Sequence, residues 1–263
     1  MIQVALTIAG SDPSGGAGLQ ADLKTFHQFG VYGMSAVTLL TVQNTERVES
    51  VDPLDPAYVE RQLRSVTEDI PPNAAKTGAL GTVSIMEVVA SWAEQISFPL
   101  VVDPVMISKH GAVLLDTGAQ ALMRERLLPC ATLITPNLAE AAALAAMEVS
   151  DTAQMEQAAR RIAGMGCAAV LVKGGHLEGD PTDLLLSEGE VEMLPTLRID
   201  TRHTHGTGCT LSAAIAAGLS KGQPLRTAVR AAKSFITSAI LTAPGLGRGS
   251  GPLDHHAPPD GIP

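Results

Sequence analysis

Residues 2–30 read IQVALTIAGSDPSGGAGLQADLKTFHQFG. Residues 2–9 are a continuous apolar run of strand length, 10–18 are a loop with four glycines, and Leu19, Leu23 and Phe26 then recur at helical spacing up to Gly30. Strand, glycine loop and helix in that order form the first half of a βαβ unit. Similar runs follow at 35–42, 99–102, 131–134 and 168–172. They are continuous rather than alternating, the pattern of strands buried on both faces of a parallel sheet. Helical segments separate them: Asp55 and Pro56 suit N-cap and first-turn positions, and Val59, Leu63, Val66 and Ile70 follow at helical spacing. Right-handed crossovers then predict a three-layer α/β/α domain with a mostly parallel central sheet. Residues 182–199, with short apolar pieces around Glu188 and Gly189, predict a small hairpin at a sheet edge.

At 263 residues, 45% hydrophobic and 17% charged, the chain can bury one large core. Residues 1–250 are read as a single domain. The tail 251–263, GPLDHHAPPDGIP, is expected to fray, with His255 and His256 a weak hint of metal binding. A net charge of −9 supplies no basic stripe for a phosphate backbone, which excludes nucleic acid as a partner. Cys130, Cys167 and Cys209 form an odd set without a C-x-x-C pair, pointing to a reducing, cytoplasmic setting. Every apolar run falls short of the ~20 residues a membrane helix needs.

Ligands of open parallel sheets bind beyond the carboxyl ends of the strands. Those ends carry Gly10 and the loop after it, Gln43-Asn44, Asp103-Pro104, T-P-N at 135–137 and K-G-G at 173–175. The first loop nearly fits a dinucleotide fingerprint, but Gln43 stands where NAD binding wants an acidic residue. Asp22 can complement the dipole of its helix or point a carboxylate at a ligand. Gln43 can cap loop backbone, or pair bidentately with a ring nitrogen beside an exocyclic amino group. Asp103 can start a turn or hold Mg²⁺. Asn137 and Glu140 have the spacing of a capping box and also sit where a metal and its waters would lie. Lys173 can snorkel to water or neutralise phosphate oxygens.

The stretch HTHGTGCTLS (203–212) opens a helix expected over 208–219. Because Gly206 and Gly208 lack a Cβ, residues 206–210, Thr207 included, can aim first-turn amides at an anion. The same dipole and donors are expected to lower the Cys209 thiol from about 8.5 toward neutrality, making it a base.

The segments TIAGSDPSGGAGLQADLKTF (7–26), VQNT (42–45), DPVM (103–106), LITPNLAEAAAL (133–144), VKGGH (172–176) and THGTGCTLSAA (204–214) together resemble the hydroxymethylpyrimidine/phosphomethylpyrimidine kinases of thiamine biosynthesis. These belong to the ribokinase-like superfamily. The resemblance implies a homodimer that uses ATP with Mg²⁺ for two successive phosphorylations of 4-amino-5-hydroxymethyl-2-methylpyrimidine. It places Gln43, Gly10 and Asp22 on the pyrimidine, Lys173 and residues Gly206, Thr207 and Gly208 on the phosphates, and Cys209 in catalysis. Asp103 and Glu140, with Asn137 through water, would serve the metal. One departure is KTGAL (76–80) where relatives carry KIGML, so Ala79 leaves extra room near the ring. Pyridoxal is therefore the alternative substrate; a non-catalytic pyrimidine sensor is the alternative from another class.

Overall fold

The computed structural model describes residues 2–106 and 117–260. Its core follows from strands apolar on both faces. In β1 (Val4–Ser11), Ala5 belongs to one buried cluster, whereas Leu6 and Ile8 belong to the other. The same alternation holds in β4 (Ala74–Thr77), β5 (Leu100–Val102), β6 (Leu133–Ile134) and β7 (Ala169–Val172). A period-two chain with apolar groups at every position must be covered twice. On one face lie α2 (Pro56–Asp69), α3 (Val83–Ala93), the short α4 (Thr117–Leu122), α5 (Leu138–Ala145) and α6 (Thr152–Ala163). The other carries α1 (Gly18–Gln28), α7 (Thr207–Ser220) and α8 (Leu225–Leu241). With β2 (Tyr32–Gln43), β3 (Val48–Pro53), β8 (Thr182–Ser187) and β9 (Glu190–Pro195), the sheet has the order β3-β2-β1-β4-β5-β6-β7-β8-β9.

From β2 to β7 every neighbouring pair is parallel; β3 pairs antiparallel with β2, β8 with β7, and β9 with β8. The expected three-layer architecture and edge hairpin are therefore present. Glu188 and Gly189 turn the hairpin with φ of 56° and 79°, the two positive angles that a tight turn matched to strand twist requires. The chain leaves β1 toward β2 on one side and returns to β4 on the other, so the direction of winding reverses at β1 and opens a crevice there.

Helix α7 is buried at every position from Thr210 to Ser220 and packs between α1 and α8. Its alanines let neighbouring backbones approach closely. The expected frayed tail is corrected here as far as Asp260; residues 261–263 lie outside the described residues. Leu253 and Ala257 are buried, Pro252 bridges His205, and His255 Nε2 lies 3.1 Å from Thr210 Oγ1. His255 is buried against α7 at Thr210, and among the described residues no three His, Cys, Asp or Glu cluster as a metal site. Composition suggested disorder because proline and glycine dominate, but two apolar anchors and one histidine fix the segment.

That histidine predicts an acid sensitivity. Burial first, then Lys24, pulls the His255 imidazole down to about 4, whereas an unfolded histidine titrates near 6.5. Between those values the unfolded chain binds the extra proton, so stability falls as pH drops through the window. With each unit worth about 1.4 kcal/mol, His255 should remove about 2–3 kcal/mol between pH 7 and 4. Urea unfolding at pH 7, 5.5 and 4 should show this loss, and His255→Gln should reduce it. Equal pH slopes for both proteins would rule it out.

Candidate active site

The helix entrance at residues 206–209 is built by glycine contacts. Gly206, the N-cap of α7, has φ 83°, and a Cβ there would run into the Gly16 carbonyl. No side chain caps this helix; the Thr207 amide donates to the Thr204 carbonyl at 3.4 Å, and Gly206, Gly208 and Cys209 line the cleft beside it. A Cβ on Gly208 would lie 3.1 Å from Lys173 Nζ and 3.6 Å from Asp103 Oδ2. The helix mouth thus faces an ion pair, and the expected juxtaposition of residues 206–209 with Lys173 is real. The helix starts at Thr207, one residue before the sequence estimate.

Lys173 Nζ is 3.0 Å from Asp103 Oδ1, which also accepts from Thr135 Oγ1 at 3.2 Å. Burial lowers the lysine's proton affinity, but Asp103 and Glu140 outweigh it and hold Lys173 above its ordinary value. Burial pushes Glu140 up to about 7, against the pull of Lys173. Asn137 and Glu140 form the full capping box of α5: Asn137 Oδ1 accepts from the Glu140 amide at 2.9 Å, and Glu140 Oε2 from the Asn137 amide at 2.8 Å. Both also line the cleft. Asp103 and Glu140 offer the hard oxygen donors that Mg²⁺ takes, and Mg²⁺ is commonly held by one or two carboxylates with waters and phosphate oxygens.

The cleft, about 1050 Å³, runs from Gly10 and Gln43 past Cys209 and Lys173 to Lys233 on α8. Gly10 is at its wall, and a Cβ there would strike Leu39. Gln43 does not cap loop backbone: its carboxamide lies 3.2 Å from His205 Nε2. Asp22 is a correction. It is fully buried, does not line the cleft, and accepts from Thr7 Oγ1 at 2.6 Å and from Lys76 Nζ at 3.1 Å on both oxygens. Thr7 and Lys76 are register partners on β1 and β4, and both side chains face the α1 and α7 layer. A carboxylate on α1 meets this fully buried lysine before it can reach a ligand.

Cys209 is partly exposed and lines the cleft, as expected, but its predicted low pKa is overturned. Burial pushes the thiol up to about 11; Lys76 opposes the shift, while Asp22 and Asp103 add to it. The sulfur lies at the helix mouth where the sequence put it, and desolvation with two nearby carboxylates raises the thiol there.

Three residues escaped the sequence reading: Lys76, Asp12 and His205. Asp12 accepts from the Ser14 amide and hydroxyl, from the Ala17 amide at 2.9 Å and from His205 Nε2 at 2.8 Å. Burial alone would raise Asp12, but the hydrogen bonds from His205 and Ser14 hold it below the usual range. The signal available was the polar density of GSDPSGG and THGTGC, which marked the loops but not the pairing.

The profile of the phosphomethylpyrimidine kinase family matches residues 12–254. The hydroxymethylpyrimidine/phosphomethylpyrimidine kinase of Streptomyces coelicolor is 48% identical over 250 residues, covering 95% of this chain and 93% of that one. Among solved structures, the ADP complex of Bacillus subtilis pyridoxal kinase superposes with a TM-score of 0.89 at 41% identity, covering 97% and 98% of the two chains. Phosphomethylpyrimidine kinase from Clostridium difficile superposes with 0.81 at 40% identity, covering 90% and 99%. With the family profile spanning nearly the whole chain, and the amide-lined helix mouth, Lys173 and Cys209 meeting in one cleft, this chain belongs to the phosphomethylpyrimidine kinase family.

Proposed function

We propose that this chain transfers the γ-phosphoryl group of ATP to 4-amino-5-hydroxymethyl-2-methylpyrimidine, and then a second group to the monophosphate, in thiamine biosynthesis. The observation that carries the reading is a single cleft joining a carboxamide end at Gln43, a thiol at Cys209 and a helix mouth without a side-chain cap beside Lys173. Gln43 reads the aminopyrimidine edge against the wall at Gly10. The amides of Gly206, Gly208 and Cys209 donate to the phosphate oxygens that gain charge during transfer, and Lys173 neutralises them. Cys209 takes the hydroxyl proton. Asp103 and Glu140, with Asn137 through a water on its carboxamide oxygen, would hold Mg²⁺, which when bound offsets phosphate charge.

Mass spectrometry of products after incubation with ATP, Mg²⁺ and the hydroxymethylpyrimidine should show mono- and diphosphate; no product would exclude the reading. Ala79 on the cleft wall favours pyridoxal as a second substrate, and competition between the two rings measures the preference. Leu40 and Val42, half exposed on β2, support pairing of two copies as a homodimer. Free cysteines suit the cytoplasm.

A further inference from the structure

The contact between His205 and Gln43 fixes more than a distance. His205 is 3% exposed, and a Cβ on Gly16 would come within 2.6 Å of its Cδ2, so the imidazole is held in one place. Its Nε2 lies 2.8 Å from Asp12 Oδ2. A carboxylate only accepts, so Nε2 must carry a hydrogen. The same Nε2 is 3.2 Å from the position given to the Gln43 carboxamide nitrogen. An N–H cannot accept from an NH₂ group, and the two ends of a carboxamide are interchangeable by rotation. With the Gln43 oxygen turned to His205 and the NH₂ turned to the cleft, Asp12 and Gln43 share the one Nε2 hydrogen and the clash of N–H with NH₂ is removed.

We propose that Asp12 and His205 are positioning residues that lock the Gln43 carboxamide with its NH₂ toward the substrate, so that the cleft selects rings offering an acceptor nitrogen at that point. This rests on the aminopyrimidine reading and deepens it. The 4-amino ring offers an unprotonated N3 beside an amino group. Its 4-oxo analogue offers the reverse pattern, N3–H beside a carbonyl. A carboxamide free to rotate reads both; a locked one reads the first. A buried donor left unpaired weakens binding by roughly 5- to 150-fold.

The test is calorimetric binding of the 4-amino compound and its 4-oxo analogue to the full chain without ATP, with ADP binding as a check on folding. Wild type should favour the amino ring by tenfold or more. His205→Phe removes the N–H and should shrink that ratio several-fold, whereas His205→Gln, which can donate to both Asp12 and Gln43, should restore it. Gln43→Glu keeps an acceptor for His205 but shows the cleft only oxygen, so it should reverse the preference, and it tests the lock even if the His205 variants fold poorly. Unchanged ratios in His205→Phe, or Gln43→Glu still favouring the amino ring, would overturn the lock alone. Wild type binding neither ring would remove the aminopyrimidine reading and this inference together.

Discussion

Cys209→Ala should slow the first phosphoryl transfer by about 10²- to 10⁴-fold, the usual worth of a positioned general base, and the second by less than about tenfold. The asymmetry comes from the nucleophiles. In the first transfer an alcohol must lose its proton. In the second the attacking group is a phosphate monoester with a pKa near 6, already an anion at neutral pH. Burial changes the pH dependence expected of this base. With the thiol near 11, roughly one molecule in 10³ to 10⁴ holds a thiolate at pH 7.5. The base is scarce but strong. Its deprotonated fraction rises tenfold per unit as pH climbs toward 11, so the first transfer should accelerate with a slope near one between pH 7 and 10, while the second stays flat. Single-turnover quench assays with each substrate across that range measure both slopes. Equal losses in Cys209→Ala, or two flat profiles, would remove the thiol from proton transfer and leave it a packing group.

What the sequence made legible follows from how far each feature depends on distant partners. Long apolar runs such as residues 2–9 are decided locally, and β1, the loop after it and α1 lie where the pattern put them. The helix mouth at Gly206 was legible for the same reason. Strand β4 was missed because AAKT carries a lysine inside four residues, and a lysine reads as surface unless its carboxylate is visible. That carboxylate, Asp22, lies 54 residues away. Asp12 and His205 are 193 residues apart and meet only because both loops leave the same edge of the sheet. The role of Asn137 and Glu140 as a capping box could be read from spacing alone, since it needs only a helix.

Lys76→Met should destabilise the protein by about 3–5 kcal/mol at pH 8, the typical cost of removing one partner of a buried ion pair. Lys76 is fully buried, with Asp22 raising its pKa against the effect of burial. Without it, the Asp22 carboxylate keeps only the Thr7 hydroxyl. An uncompensated carboxylate in that site takes up a proton, raising its folded pKa above the unfolded value. A group raised on folding contributes stability at low pH and loses it as pH rises through the folded pKa. The penalty should therefore be largest at pH 8 and shrink by pH 5, and urea unfolding at the two values would show it; a pH-independent loss would mean that only packing was removed. The double variant Lys76→Met, Asp22→Leu then separates fold from function. Replacing a buried pair by apolar groups of similar volume is often neutral or stabilising, so the double variant should regain most of the lost stability. It should regain only part of the first transfer, because it removes Lys76, which opposes the upward shift of Cys209, together with Asp22, whose smaller effect adds to that shift. Full recovery of both would make the pair a packing device; full recovery of stability alone places it beneath the thiol for the sake of the reaction.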